Sequence, residues 1–97
     1  MAISRAEDQS AIRICETNTE QLKKVNKKIT YYLDRLPLKS QRDTIVLNRL
    51  IEEQERLVRV QIRGHVPFRI AVLNDNERYR AAHLKIRFGD LCRRGKL

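Results

Sequence analysis

Large aromatics are scarce in this chain: 97 residues hold no Trp, two Phe and three Tyr, which leaves little to anchor a deep core or wall a catalytic cleft. Glycine is equally sparse, with three isolated residues at 64, 89 and 95, and that spacing excludes a Gly-rich phosphate loop. Cys15 and Cys92 lie near opposite ends and do not make a disulfide scaffold; they read as free thiols in a reducing compartment. The longest apolar run, Ile70 to Leu73, is far too short to cross a bilayer. Met1 to Arg5 turns to charge without an apolar leader core, so the expected location is intracellular (cytoplasm or nucleus) and not secreted.

What the chain does have is charge. Charged residues make up 34%, and the net charge is +9. Residues 1–56 carry 11 Lys and Arg against 9 Asp and Glu, whereas residues 57–97 carry 10 against 3. The basic excess therefore belongs to the C-terminal part of the sequence, and it is mostly arginine. A guanidinium offers a planar fork of donors that matches phosphate and carboxylate.

Read along its length, the chain is one domain, residues 1–97, with a mainly α fold. Ser4 and Glu7 have the form of a capping box, and no Gly or Pro interrupts the run that follows to Leu36. Within residues 4–36 apolar side chains recur in heptads. Cys15, Leu22, Ile29 and Leu36 form one series, and Ala11, Asn18, Val25 and Tyr32 form the other. Asn18 is the polar member of this seam. It either sets register or oligomeric state, or marks a frayed start with the seam beginning at Leu22. Pro37 stops the helix, and Ser40 with Asp43 opens a second one over residues 41–63. That helix puts Leu47, Leu50, Ile51, Leu57 and Val58 on one face, with Glu52–Arg56 and Glu55–Arg59 as expected ion pairs. A short connection makes the two helices an antiparallel hairpin with a coiled-coil-like seam.

The end of the second helix also reads as a strand, because Val58, Val60 and Ile62 alternate with polar residues. Residues 65–97 form a small basic segment, either helical or built of short antiparallel strands. Phe68, Ile70 and Val72 alternate after Pro67, and Asn74-Asp75-Asn76 reads as a turn, with Asn74 and Glu77 as a third capping box. From Glu77 onward, Ala81, Leu84, Phe88 and Leu91 form a helical stripe; Ala82, Leu84, Ile86 and Phe88 also alternate as in a strand.

No nucleophile motif stands out, and His65, His83, Cys15 and Cys92 lack the close-paired spacing of zinc ligands. No catalytic residue, metal or cofactor is expected. Two basic sets remain as candidate nucleic-acid contacts. One is Lys23, Lys24, Lys27 and Lys28, with Glu20 as a partner for Lys24. The other is Arg59, Arg63, Arg69, Arg78, Arg80, Lys85, Arg87, Arg93 and Arg94. With residues 77–94 helical, Arg80 and Arg87 share a face with Arg94 in line behind them. Few aromatics accompany the arginines; Tyr79 and Phe88 are the candidates for base stacking, and Phe88 reads as core.

The expected function is thus a non-enzymatic basic assembly protein that meets RNA or DNA through its C-terminal part. Its hairpin seam (Cys15, Asn18, Leu22, Val25, Ile29, Tyr32, Leu36, Leu47, Leu50, Leu57) would form a homo-oligomer or hetero-complex. The alternative is a subunit of a multiprotein complex whose seam packs on partner helices and whose basic end meets an acidic protein surface.

Overall fold

The computed structural model describes the backbone of residues 2–97 and the side chains of residues 8–97. Among the described residues three helices account for the architecture: α1 (Ala2–Leu33), α2 (Gln41–Val58) and α3 (Phe68–Arg93). The Ser4–Glu7 capping box lies outside the described side chains.

α1 ends three residues before the expected Leu36. Leu36 precedes Pro37, whose ring disfavours helical backbone at the residue before it, and Arg35 N–H closes a tight last turn on Tyr32 O at 3.1 Å. Ser40 caps α2 as read from the sequence, accepting from Asp43 N–H at 3.3 Å. α2 stops at Val58 and not at residue 63; residues 59–67 are a connection in which Gly64 holds φ +124°, a conformation open to glycine. α3 closes on a Schellman turn, with Lys96 N–H donating to Leu91 O at 3.0 Å, Gly95 N–H to Cys92 O at 3.1 Å, and Gly95 at φ +68°.

No strand occurs among the described residues, which resolves the ambiguity of the C-terminal part in favour of helix. The alternating Phe68, Ile70 and Val72 belong to the first turns of α3, which starts directly after Pro67. Asn74-Asp75-Asn76 is helix interior, so neither the turn nor the Asn74–Glu77 capping box forms. The reason is tertiary: the Asn74 amide, which locally favours a turn, finds its partners on α1 instead.

Cross-helix hydrogen bonds fix an up-down-up order. Asn18 of α1 meets Leu57 and Asn26 meets Gln54, so α1 and α2 are antiparallel. Cys15 lies by Ile70, Asn18 by Asn74 and Leu33 by Arg87, so α3 runs parallel to α1. α3 packs chiefly on α1 and lightly on α2. The result is a rod of 56 × 20 × 17 Å with a radius of gyration of 16.1 Å, against about 13 Å for a compact domain of this size.

The core joins Leu22, Val25, Ile29 and Leu33 of α1 with Leu47, Ile51 and Leu57 of α2 and Ala81 and Leu84 of α3. Tyr32, Leu50, Phe88 and Leu91 pack against it from partly buried positions. The heptad seam is therefore covered within the chain. Of the seam residues, Cys15, Asn18, Leu22, Val25, Ile29, Leu47 and Leu57 are buried, while Tyr32, Leu36 and Leu50 are half-buried. The third helix supplies the apolar cover that the sequence reading sought from a second chain.

A polar layer runs through this core. Asn18, Asn26, Gln54 and Asn74 are 3%, 0%, 1% and 3% exposed, yet no buried side-chain nitrogen or oxygen lacks a partner among the described residues. Gln54 Nε2 donates to Asn26 Oδ1 at 2.8 Å, and Asn26 Nδ2 donates to Glu77 O and Oε2, both at 3.0 Å. Asn18 Nδ2 donates to Leu57 O at 2.8 Å, and Asn74 Nδ2 donates to Asn18 Oδ1 and Thr19 Oγ1 at 2.9 Å. A satisfied network of this kind ties the three helices to one register, because slipping any of them strands a buried amide.

Candidate functional site

The clearest feature of the surface is where the fold puts the charge. An up-down-up bundle can be cut across its middle between residues 22 and 23, 56 and 57, and 76 and 77. On one side lie residues 23–56 and 77–97, with 16 Lys and Arg against 7 Asp and Glu. On the other lie residues 8–22 and 57–76, with 4 against 4. The whole net charge of +9 thus sits in one half of the rod. The sequence places the excess in the last forty residues; the fold redistributes it to the end that carries the α1 C-terminus, the α2 N-terminus and the α3 C-terminus.

The candidate residues separate accordingly. Arg59, Arg63 and Arg69 are exposed at the neutral end, at the α2 cap, in the connection and in the first turn of α3. Arg78 is half-buried and turned onto its own chain. Its Nε donates to Asn74 Oδ1 at 2.7 Å, Nη2 donates to Val60 O at 2.8 Å, and Nη1 donates to Val58 O. It closes the carbonyl end of α2, so its guanidinium is already engaged by its own chain.

Arg80, Lys85, Arg87, Arg93 and Arg94 are exposed in the basic half. Lys85 pairs with Glu55 at 3.3 Å, Arg87 with Asp34 at 3.1 Å and Arg94 with Asp90 at 3.3 Å. These pairs are exposed and hold their partners weakly. Arg80, Arg87 and Arg94 follow at seven-residue steps, so they form a row with about 10 Å between neighbours. Arg87 reaches Leu33 O at the end of α1 and Asp34 just beyond it, which puts the row on the side of α3 that borders α1.

The lysines of α1 divide between its two flanks. Thr19 meets Asn74 of α3, and Lys23 follows Thr19 by one turn, so Lys23 stands on the flank toward α3. Lys24, Lys27 and Lys28 instead border a groove of about 580 Å³ between α1 and α2, floored by Tyr31, Tyr32, Val46 and Leu50. The expected Glu20–Lys24 pair does not form among the described ion pairs. Arg56 pairs with Glu53 and not with Glu52, and that ion pair holds the Glu53 carboxyl below its usual range.

Sequence reasoning missed two features. One is the layer of Asn26, Gln54, Asn74 and the half-buried Arg78, whose only trace is one amide beside each helical seam, Asn26, Gln54 and Asn74. The other is the groove, whose trace is Val46 and Leu50 one turn apart on the flank of α2. Tyr79 is exposed, edge-on to His83 at 4.7 Å, and Phe88 packs on the core.

Cys15 is buried and Cys92 exposed, both as free thiols; burial raises the Cys15 pKa, with Arg78 opposing. Among the described residues no three His, Cys, Asp or Glu side chains gather as metal ligands, and no helix is long and apolar enough to cross a membrane. Comparison with protein-family models, curated proteins and solved structures found no match to this chain.

Proposed function

We propose that this chain is a non-enzymatic binding protein that holds nucleic acid through the basic half of its bundle. The observation that carries the reading is the segregation of the full +9 charge into one half of the rod. A phosphate backbone rewards such a surface, because each neutralised phosphate releases condensed counterions. Arg80, Arg87 and Arg94 along α3, with Lys23 on the facing flank of α1, make the binding surface. The aromatics contribute little: Tyr79 alone is exposed near the row, so the protein meets phosphate and sugar and not stacked bases.

Titration of duplex RNA, duplex DNA and single strands between low and high salt tests this. With about six phosphates neutralised, log K against log salt falls with a slope of roughly −5. Lys23→Glu with Arg80→Glu weakens binding by roughly tenfold or more and makes the slope shallower by about one for each phosphate left without its cation. Arg59→Glu with Arg63→Glu, at the neutral end, leaves binding nearly unchanged. Absence of binding to every one of these at low salt rejects the reading.

A further inference from the structure

The groove between α1 and α2, on the side of the bundle away from α3, is a second surface of different chemistry. Its floor is apolar (Tyr31, Tyr32, Val46 and Leu50), and Lys24, Lys27 and Lys28 stand along its α1 edge. We infer that this groove docks an acidic amphipathic helix supplied by a partner protein.

Three observations converge on that occupant. Two antiparallel helices leave a furrow into which a further helix fits, turning three helices into a four-helix bundle. The stretch from Lys24 to Tyr31 spans seven residues, about 10 Å, which is the i to i+7 spacing of anchors on a docked helix. The charge is of one sign: the three lysines, and Arg42 and Arg49 one turn to either side of Val46, are exposed and carry no ion pair among the described residues.

A second copy of the chain is disfavoured as occupant, because a symmetric contact here would set lysine against lysine. Nucleic acid is disfavoured because the exposed Tyr31 ring already has the Arg35 guanidinium over it, 3.7 Å from the centroid, and Tyr32 set edge-on against it. Glutamates flanking a leucine stripe answer both parts of the groove at once.

The inference rests on Lys24, Lys28 and the floor residues, whereas the nucleic-acid surface is assigned to Lys23 and the arginine row of α3, so separate variants test the two. The test uses the full chain, isotopically labelled for NMR, and a synthetic helix of about 18 residues with leucines at i, i+4, i+7 and i+11 and glutamates around them. The expected result is shifts confined to the amides around Tyr31, Tyr32, Val46 and Leu50. Lys24→Glu with Lys28→Glu, both exposed and safe for folding, is expected to weaken binding by roughly tenfold or more. A peptide with lysine in place of glutamate is expected to restore binding to that variant. Equal binding by a peptide of the same composition with its leucines scattered overturns the inference. So do shifts centred elsewhere, self-association of the chain through these residues, or displacement of the peptide from them by duplex RNA.

Discussion

Arg78 shows how far a residue's role depends on where its neighbours stand. In the sequence it is one more member of a basic run; in the fold it bridges Asn74 to the carbonyls of Val58 and Val60. Arg78→Ala leaves those carbonyls and the Asn74 oxygen without their charged donor, a loss of about 2–3 kcal/mol. Thermal unfolding is expected to fall by about 10 °C or more, at roughly 4–8 °C per kcal/mol for a domain of this size. Asn74→Leu removes the nearer donor to Asn18 Oδ1, leaving only the 3.5 Å contact from Arg78 Nη2, and is expected to destabilise by about 1–3 kcal/mol in urea unfolding. The two cysteines give a chemical check. Burial raises the Cys15 pKa, so its thiolate is depleted at neutral pH, whereas Cys92 lies exposed near the end of α3. A thiol reagent is therefore expected to modify Cys92 quickly, and Cys15 only as the chain unfolds.

At the scale of elements, α1 and the start of α2 were legible because their signals are local: an uninterrupted heptad run, Pro37 as a stop and Ser40 as a cap. The C-terminal part was ambiguous because its signals conflict. Phe68, Ile70 and Val72 carry a strand's alternation, and Asn74-Asp75-Asn76 carries a turn's composition. Both are overruled by contacts with residues more than fifty positions away, which no local pattern encodes. Asn18 is a similar case. It neither frays the helix nor sits between two chains; it receives Asn74 and donates to the last turn of α2. Because Ile29 is fully buried among all three helices, Ile29→Asp is expected to abolish cooperative unfolding and most helical circular dichroism. Removing residues 64–97 uncovers the α1 seam, and the remaining hairpin is expected to associate or aggregate in sedimentation experiments.

For the whole molecule, the charge surplus was legible as a number and the basic residues as candidates, but their placement was not. Only the up-down-up order reveals that Lys23 and Arg80 belong to one half and that Arg59, Arg63 and Arg69 belong to the other. The same order closes the seam inside the chain, so sedimentation is expected to report a folded monomer of about 11.5 kDa. The claim that matters most is that nucleic acid is held by the basic half. It is tested most directly by measuring duplex binding across a salt series for the wild-type chain and for two charge-reversed variants, Lys23→Glu with Arg80→Glu and Arg59→Glu with Arg63→Glu. A steep salt dependence that is weakened only by the first pair is the expected result. Equal weakening by the two pairs, or no binding by the wild-type chain at low salt, would contradict it.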